Sequence, residues 1–195
     1  AGVPRVLPPS DLGGAKALPG EGAETELALA RGRLIHLLLE ELADLPEADR
    51  KPRGTTLAAS LPGGEAALAE ALAVLGNPAL APVLGEGALV EVGLSGAWNG
   101  RAMWGVIDRL IVTEDAVLAV DFKSNRVVPT GPDNVPEGLL RQMGAYAHLL
   151  AALYPGRRVE TALLWTATGA LMRLPAAATA AALDRAALDP DRRPS

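Results

Sequence analysis

Between residues 88 and 123 the chain is committed to an antiparallel meander. Three runs of aliphatic residues, 88–95, 101–112 and 116–123, are separated by two tight-turn signals, Asn99-Gly100 and Glu114-Asp115. Asn-Gly suits a two-residue hairpin because both residues tolerate positive φ. Neighbouring strands joined this closely must pair side by side, so residues far apart in sequence meet at the strand ends.

The flanks read as helices. Leu27, Leu34, Leu38, Leu42 and Leu45 recur at helical spacing, which predicts an amphipathic helix from Glu24 that ends before Pro46. Residues 46–62 read as a loop with short helical pieces, and 65–75 as a second helix stopped by Gly76. Asn77-Pro78 supplies N-cap and N1 of a short turn. After a Pro/Gly/Asn loop over 124–136, residues 137–153 form a clear helix. Runs 161–165 and 170–174 can pair as a hairpin, and 176–188 is an Ala-rich helix. The order α, α, βββ, α, ββ, α predicts an α/β fold: a mixed sheet of meander, crossover helix and further strands, flanked by helices.

At 195 residues the chain suits one domain. Pro- and Gly-rich residues 1–23 read as a linker or extended arm, 24–188 as the domain, and 189–195 as a frayed end. The start at Ala1, without Met, reads as a fragment of something longer. The absence of cysteine removes disulfide scaffolds, cysteine nucleophiles and Cys-ligated iron–sulfur clusters. It fits a cytosolic protein. No apolar run approaches the ~20 residues of a membrane helix. The net charge of −5 argues against a free-standing DNA binder that relies on its own surface.

Against this apolar background, charges stand where they are costly. Asp121 and Lys123 close the third strand after Val117-Leu118-Ala119-Val120, and share one face while Phe122 takes the other. Asp108 interrupts the second strand among Ile and Val, and Glu91 lies on the first. Buried charges need partners. If the register brings Asp108 beside Asp121, two carboxylates cannot both stay ionised without a cation. Oxygen donors of this kind suit Mg²⁺, Mn²⁺ or Ca²⁺. Carboxylate-held metal with an adjacent lysine is the chemistry of phosphodiester hydrolysis. A lone D-x-K is more often a surface ion pair; carboxylates on neighbouring strands favour the functional reading. His36, on the Leu-rich first helix, joins such a site only if that helix packs across the meander's end. Gln142 and Tyr146, four apart, share a helix face.

Four segments occur in order: Gly32-Arg33-Leu34-Ile35-His36-Leu37-Leu38-Leu39-Glu40, Gly105-Val106-Ile107-Asp108-Arg109-Leu110, Asp121-Phe122-Lys123-Ser124-Asn125-Arg126 and Gln142-Met143-Gly144-Ala145-Tyr146. They resemble the RecB-type nuclease domain of the PD-(D/E)XK superfamily. With Tyr154-Pro155-Gly156-Arg157 and Leu164-Trp165-Thr166, the wording looks like the C-terminal nuclease domain of AddA-type helicase–nucleases, which process DNA double-strand breaks for recombinational repair. The resemblance implies a restriction-endonuclease-like fold and a Mg²⁺-dependent deoxyribonuclease. His36, Asp108, Asp121 and the Phe122 carbonyl would be metal ligands, and Lys123 the catalytic lysine. Glu91, or nearby Glu86, would be the first-strand acid. Gln142 and Tyr146 would position substrate or lysine, and Arg126 with Gln142 would meet DNA.

The same resemblance implies partners. These are single-stranded DNA ends from an unwound duplex, helicase domains attached N-terminally, and a B-type subunit in a heterodimer. B-type subunits often carry four cysteines for an iron–sulfur cluster; this chain has none, so it resembles the A-type. A bacterial, cytoplasmic, nucleoid-associated setting follows, with no membrane partner. A catalytically silent DNA-binding or scaffold module of the same fold, and a stand-alone nuclease of another kind, are the competing readings.

Overall fold

The computed structural model describes residues 6–19 and 25–188. Five strands form one mixed sheet in the order β1 (Ala88–Trp98), β2 (Arg101–Val112), β3 (Ala116–Lys123), β4 (Arg158–Trp165), β5 (Ala170–Leu174). Every pairing is antiparallel except β3–β4, which run parallel. Parallel neighbours need a crossover, and α5 (Glu137–Leu153) supplies it. The mixed sheet flanked by helices is the architecture the residue pattern predicts.

Each sheet face carries its own core. On one side Leu94, Met103, Val117, Ala119, Leu163 and Trp165 pack under α5 and α6 (Ala176–Ala187). On the other, Val120, Phe122, Ala162 and Leu164 pack under α1 (Glu26–Ala43), α3 (Gly64–Leu75) and their neighbours. β3 and β4 are therefore buried on both faces, which is why they read as unbroken apolar runs.

Local chemistry sets the element ends. Thr25 caps α1, its hydroxyl accepting from the Ala28 N–H at 3.1 Å. Asn99 (φ 51°) and Gly100 (φ 72°) are both left-handed, the turn that Asn-Gly favours. The hairpin is consequently regular up to Trp98↔Arg101, so β1 runs three residues beyond 95. β4 likewise begins at Arg158, ahead of the expected 161.

Residues 46–62, expected as a loop with short helical pieces, contain one continuous helix of 12 residues, α2 (Glu47–Ala58). Its sequence shows no apolar period because only Gly54 and Ala58 are buried. Contact is made through the missing side chain: a Cβ on Gly54 would come within 2.3 Å of Leu68 Cδ1. The expected start of α1 at Glu24 and the frayed end 189–195 lie outside the described residues.

Residues 6–19 do not run free of the domain. Leu7 bridges Met103 beside β2, Leu12 is fully buried, and the Leu12 carbonyl accepts from Arg141 at 3.0 Å. Gly138 donates to the Ala15 carbonyl at 2.7 Å, an approach that a Cβ on Gly138 would block.

A charged clamp ties α5 to α6. Glu137 accepts from Arg185 through both carboxylate oxygens, at 2.9 and 2.8 Å, and from Arg141 at 3.0 Å. The Arg185 hydrogen bonds, helped by Arg141 and opposed by burial, hold its carboxyl below the ordinary glutamate value. Its stabilisation is therefore complete above the unfolded-state pKa and is lost as pH falls through the folded value. The clamp is largely exposed, so solvent screening keeps its contribution small. Glu137→Gln should lower Tm at pH 7 by about 1–4 °C, and thermal melts of variant and wild type should converge as pH falls below ~4.

Candidate active site

The β2–β3 ladder stops at Arg109↔Val120. The next rung would set Asp108 opposite Asp121. Instead the Asp108 carboxylate reaches across, and its Oδ2 accepts from the Phe122 N–H at 2.6 Å. A side chain thus replaces a rung, and the strands part beyond it. The arm takes up the exposed edge of β2: Leu7 donates to the Ala102 carbonyl at 2.9 Å, and Trp104 donates to the Leu7 carbonyl at 3.3 Å.

The parted strands open a cavity of about 980 Å³. Asp108, Asp121, Lys123, Gln142, Tyr146 and His36 all line it, with the Phe122 backbone and Arg126. Phe122 itself turns its ring to the opposite face, between the His36 ring at 5.7 Å and the Arg109 guanidinium at 5.4 Å. Asp121 and Lys123 point the other way, toward α5.

His36 is placed by its helix. Buried Arg109 donates to the Leu39 carbonyl of α1 at 3.2 Å and to the Asp108 carbonyl at 3.0 Å, locking α1 onto the end of β2. The His36 Nδ1 then lies 3.4 Å from Asp108 Oδ1, and its Nε2 lies 3.1 Å from the Phe122 carbonyl oxygen. Both ring nitrogens face oxygen acceptors. Burial works against the charged ring, but the Asp108 hydrogen bond and the charges on Asp108 and Asp121 outweigh it and raise its pKa.

The lysine is oriented by a chain with one consistent proton assignment. Burial pushes the Tyr146 pKa up, so the phenol stays neutral, and its proton goes to the Val106 carbonyl at 2.8 Å. The Tyr146 oxygen can then only accept, which it does from Gln142 Nε2 at 3.3 Å. That fixes the amide with Oε1 outward, where it accepts from Lys123 Nζ at 3.0 Å. Lys123 also ion-pairs with Asp121 Oδ2, a buried oxygen that makes no hydrogen bond of good geometry. Burial raises the Asp121 pKa, and the Lys123 charge works against that rise.

Glu91 is not brought into this cavity. It is exposed and lines a shallow depression of about 420 Å³ with Arg33, His36 and Glu40, and the Asp108–Asp121–Lys123 group is absent there. The cause is local backbone geometry. Glu91 has φ 48° and, like Asp108 across from it, drops out of the β1–β2 register. Below the break Ile107 packs toward α5; above it Arg109 turns toward α1. Glu86 lies exposed in the turn before β1 and is not on the strand.

Three residues at the site were given no role by the sequence: Arg31 on α1, Glu70 on α3 and Thr166 after β4, the last quoted only as the end of Leu164-Trp165-Thr166. They form one hydrogen-bonded group around the backbone that follows Lys123. Each looks like an ordinary polar residue in its own segment.

Among the described residues no three His, Asp or Glu side chains already converge as a metal cage; each is held by its own partner. The donor set still fits a hard divalent cation: two carboxylates, an imidazole and a backbone carbonyl, with one buried carboxylate oxygen lacking a hydrogen bond.

The chain matches the PD-(D/E)XK nuclease superfamily over residues 11–193 and belongs to it. Members of that superfamily typically use divalent metal ions. No curated protein matches the chain. A crystal structure from Eubacterium rectale, described as a "putative exonuclease", superposes with a TM-score of 0.55 at 13% identity. The alignment covers 88% of this chain and 67% of that one, a likeness of fold alone. The crystal structure of SSO0001 aligns over 82% of this chain and 86% of its own at 13% identity, with a TM-score of 0.36.

Because Tyr146 acts on Lys123 only through Gln142, Tyr146→Phe should free the amide to rotate without touching a metal donor. Phosphodiester hydrolysis should fall about tenfold, with the divalent-ion concentration for half-maximal rate unchanged. Metal titrations of the hydrolysis rate at fixed DNA check both halves.

Proposed function

We propose that this domain is a Mg²⁺-dependent deoxyribonuclease that hydrolyses phosphodiesters of single-stranded DNA ends. The observation that carries the reading is the Lys123 ammonium, aimed by Gln142 and Tyr146 and paired with Asp121 beside Asp108 and His36. His36, Asp108, Asp121 and the Phe122 carbonyl would hold the ion. When bound, it supplies Lewis-acid polarisation of the phosphate and a more acidic water. Lys123, relieved of part of its pairing to Asp121, faces the charge that develops on the phosphate.

Charge supports nucleic acid as the substrate. The chain as a whole is acidic. Among the described residues that line the cavity, however, four are basic (Lys16, Arg31, Lys123, Arg126) and two acidic (Asp108, Asp121). Such a wall attracts phosphates locally in an otherwise repelling surface.

The wider setting we propose is that of an AddA-type helicase–nuclease resecting double-strand breaks. Helicase domains would precede residue 1, residues 1–23 would tether them, and a B-type subunit would complete a heterodimer in the bacterial cytoplasm. The ordered segments around His36, Asp108, Asp121-Phe122-Lys123 and Gln142…Tyr146 support it. Helicase motifs in the coding sequence upstream of Ala1 are the expected finding, and their absence there would leave a stand-alone nuclease.

Degradation of a single-stranded oligonucleotide by the purified protein tests the activity. Lys123→Ala should lower the rate ~10²–10³-fold with the fold intact. Asp121→Ala should abolish activity through loss of the metal, so excess Mn²⁺ should restore part of it, yet restore nothing to Lys123→Ala. Wild-type rates in Lys123→Ala would remove Lys123 from the mechanism and return the Asp121–Lys123 pair to a structural ion pair, whereas no degradation by the wild-type protein would leave a silent DNA-binding module.

A further inference from the structure

Lys123 is the last residue of β3, and beyond it the chain leaves the sheet. Where its side chain points depends on how firmly the next two peptide groups are held. The Lys123 carbonyl accepts from the Thr166 N–H at 2.9 Å, one bond beyond the parallel β3–β4 ladder. The Ser124 carbonyl accepts from Arg31 Nη1 at 3.1 Å. Glu70 links the two donors. Its Oε1 lies 2.6 Å from Thr166 Oγ1, and its Oε2 pairs with Arg31 Nη2.

Proton counting gives this group a direction. Thr166 Oγ1 has one proton and two acceptors in reach, Glu70 Oε1 at 2.6 Å and the Lys123 carbonyl at 3.2 Å. The shorter bond to an ionised carboxylate takes it. Glu70 therefore accepts from both sides and donates to neither, and its charge holds two donors that would otherwise relax. Thr166 is buried, and the Arg31 and Glu70 side chains are 18% and 14% exposed, so water competes weakly.

We infer that Glu70 is a positioning residue for Lys123, acting through Arg31 on the Ser124 carbonyl and through Thr166 on the Lys123 carbonyl. This rests on the reading of Lys123 as the catalytic lysine. Three elements distant in sequence, α1, α3 and the end of β4, converge on two consecutive peptide carbonyls. A merely space-filling contact needs none of those hydrogen bonds. The Gln142–Tyr146 relay sets the ammonium end of the side chain, and the Glu70 group sets its backbone end. Displacing a catalytic group by ~1 Å is enough to cost up to ~10²-fold in rate.

The test compares Glu70→Ala, Glu70→Gln, Thr166→Val and Thr166→Ser with wild type and Lys123→Ala. Two readouts are taken on the purified protein: hydrogen exchange across residues 121–127, and single-turnover hydrolysis of a single-stranded oligonucleotide with Mg²⁺. Glu70→Ala and Thr166→Val should speed exchange in that segment and lower the single-turnover rate about tenfold, with KM for DNA not raised. Thr166→Ser, which keeps the hydroxyl, should behave as wild type. Glu70→Gln keeps one of the two acceptor contacts and should fall between. Wild-type exchange and wild-type rates in Glu70→Ala and Thr166→Val, even with lowered Tm, would overturn the inference. Should Glu70→Ala not fold, the Thr166→Val and Thr166→Ser pair decides alone. If exchange responds as expected while wild type and Lys123→Ala are equally inert toward DNA, the tether stands and the nuclease reading falls.

Discussion

The hydrogen bond from the Phe122 N–H to the Asp108 carboxylate is the constraint from which the rest of the site follows. A carboxylate in that place ends the β2–β3 ladder at Arg109↔Val120 and lets the strands diverge. The divergence leaves a gap at the sheet's end that α1 and α5 border from opposite faces. His36 enters from α1, Gln142 and Tyr146 from α5, and Asp121 with Lys123 from the strand itself. One side chain that accepts a backbone hydrogen bond thus converts the end of a regular sheet into a polar cavity bounded by two hydrophobic cores.

Such a site is costly to fold. Asp121 and Lys123 sit among residues that exclude water, and a buried ion pair recovers its desolvation cost only with further hydrogen bonds. Those bonds are present for the lysine, through Gln142. For Asp121 they are incomplete, since Oδ2 has the ionic contact alone. Asp108 and the Phe122 carbonyl both lean on His36, whose pKa is raised against its burial by the Asp108 hydrogen bond and the charges on Asp108 and Asp121. Asp121 Oδ2 keeps lone pairs that no hydrogen bond satisfies, and carboxylate oxygens of this kind are what a divalent cation takes as ligands. The fold's stability comes from elsewhere: two apolar layers, the Glu137 clamp between α5 and α6, and an arm anchored by Leu12.

Much of this was legible in the residues. Asn99-Gly100 dictated the hairpin, and the unbroken apolar run of 117–120 announced a strand covered on both faces. The spacing of Asp121 and Lys123 placed both on one side, and the four-residue step from Gln142 to Tyr146 placed those two on one helix face. What was not legible depended on contacts that leave no periodic trace. The helix α2 packs through a glycine, and the arm is held by backbone carbonyls and one buried leucine, so neither displays an apolar stripe. The direction of Glu91 depends on a left-handed backbone turn that no glycine or asparagine signals. The Arg31–Glu70–Thr166 group joins three separate segments, and only the packing of α1, α3 and β4 brings them together.

The central claim is that the parted ends of β2 and β3 form a divalent-cation site that faces Lys123. Mn²⁺ binding, followed by electron paramagnetic resonance on the purified protein without DNA, measures it most directly. The account predicts saturable binding that Asp108→Asn and Asp121→Asn each abolish or weaken by at least about tenfold, while Lys123→Ala binds as tightly as wild type or tighter. Binding unchanged by both aspartate substitutions would contradict it.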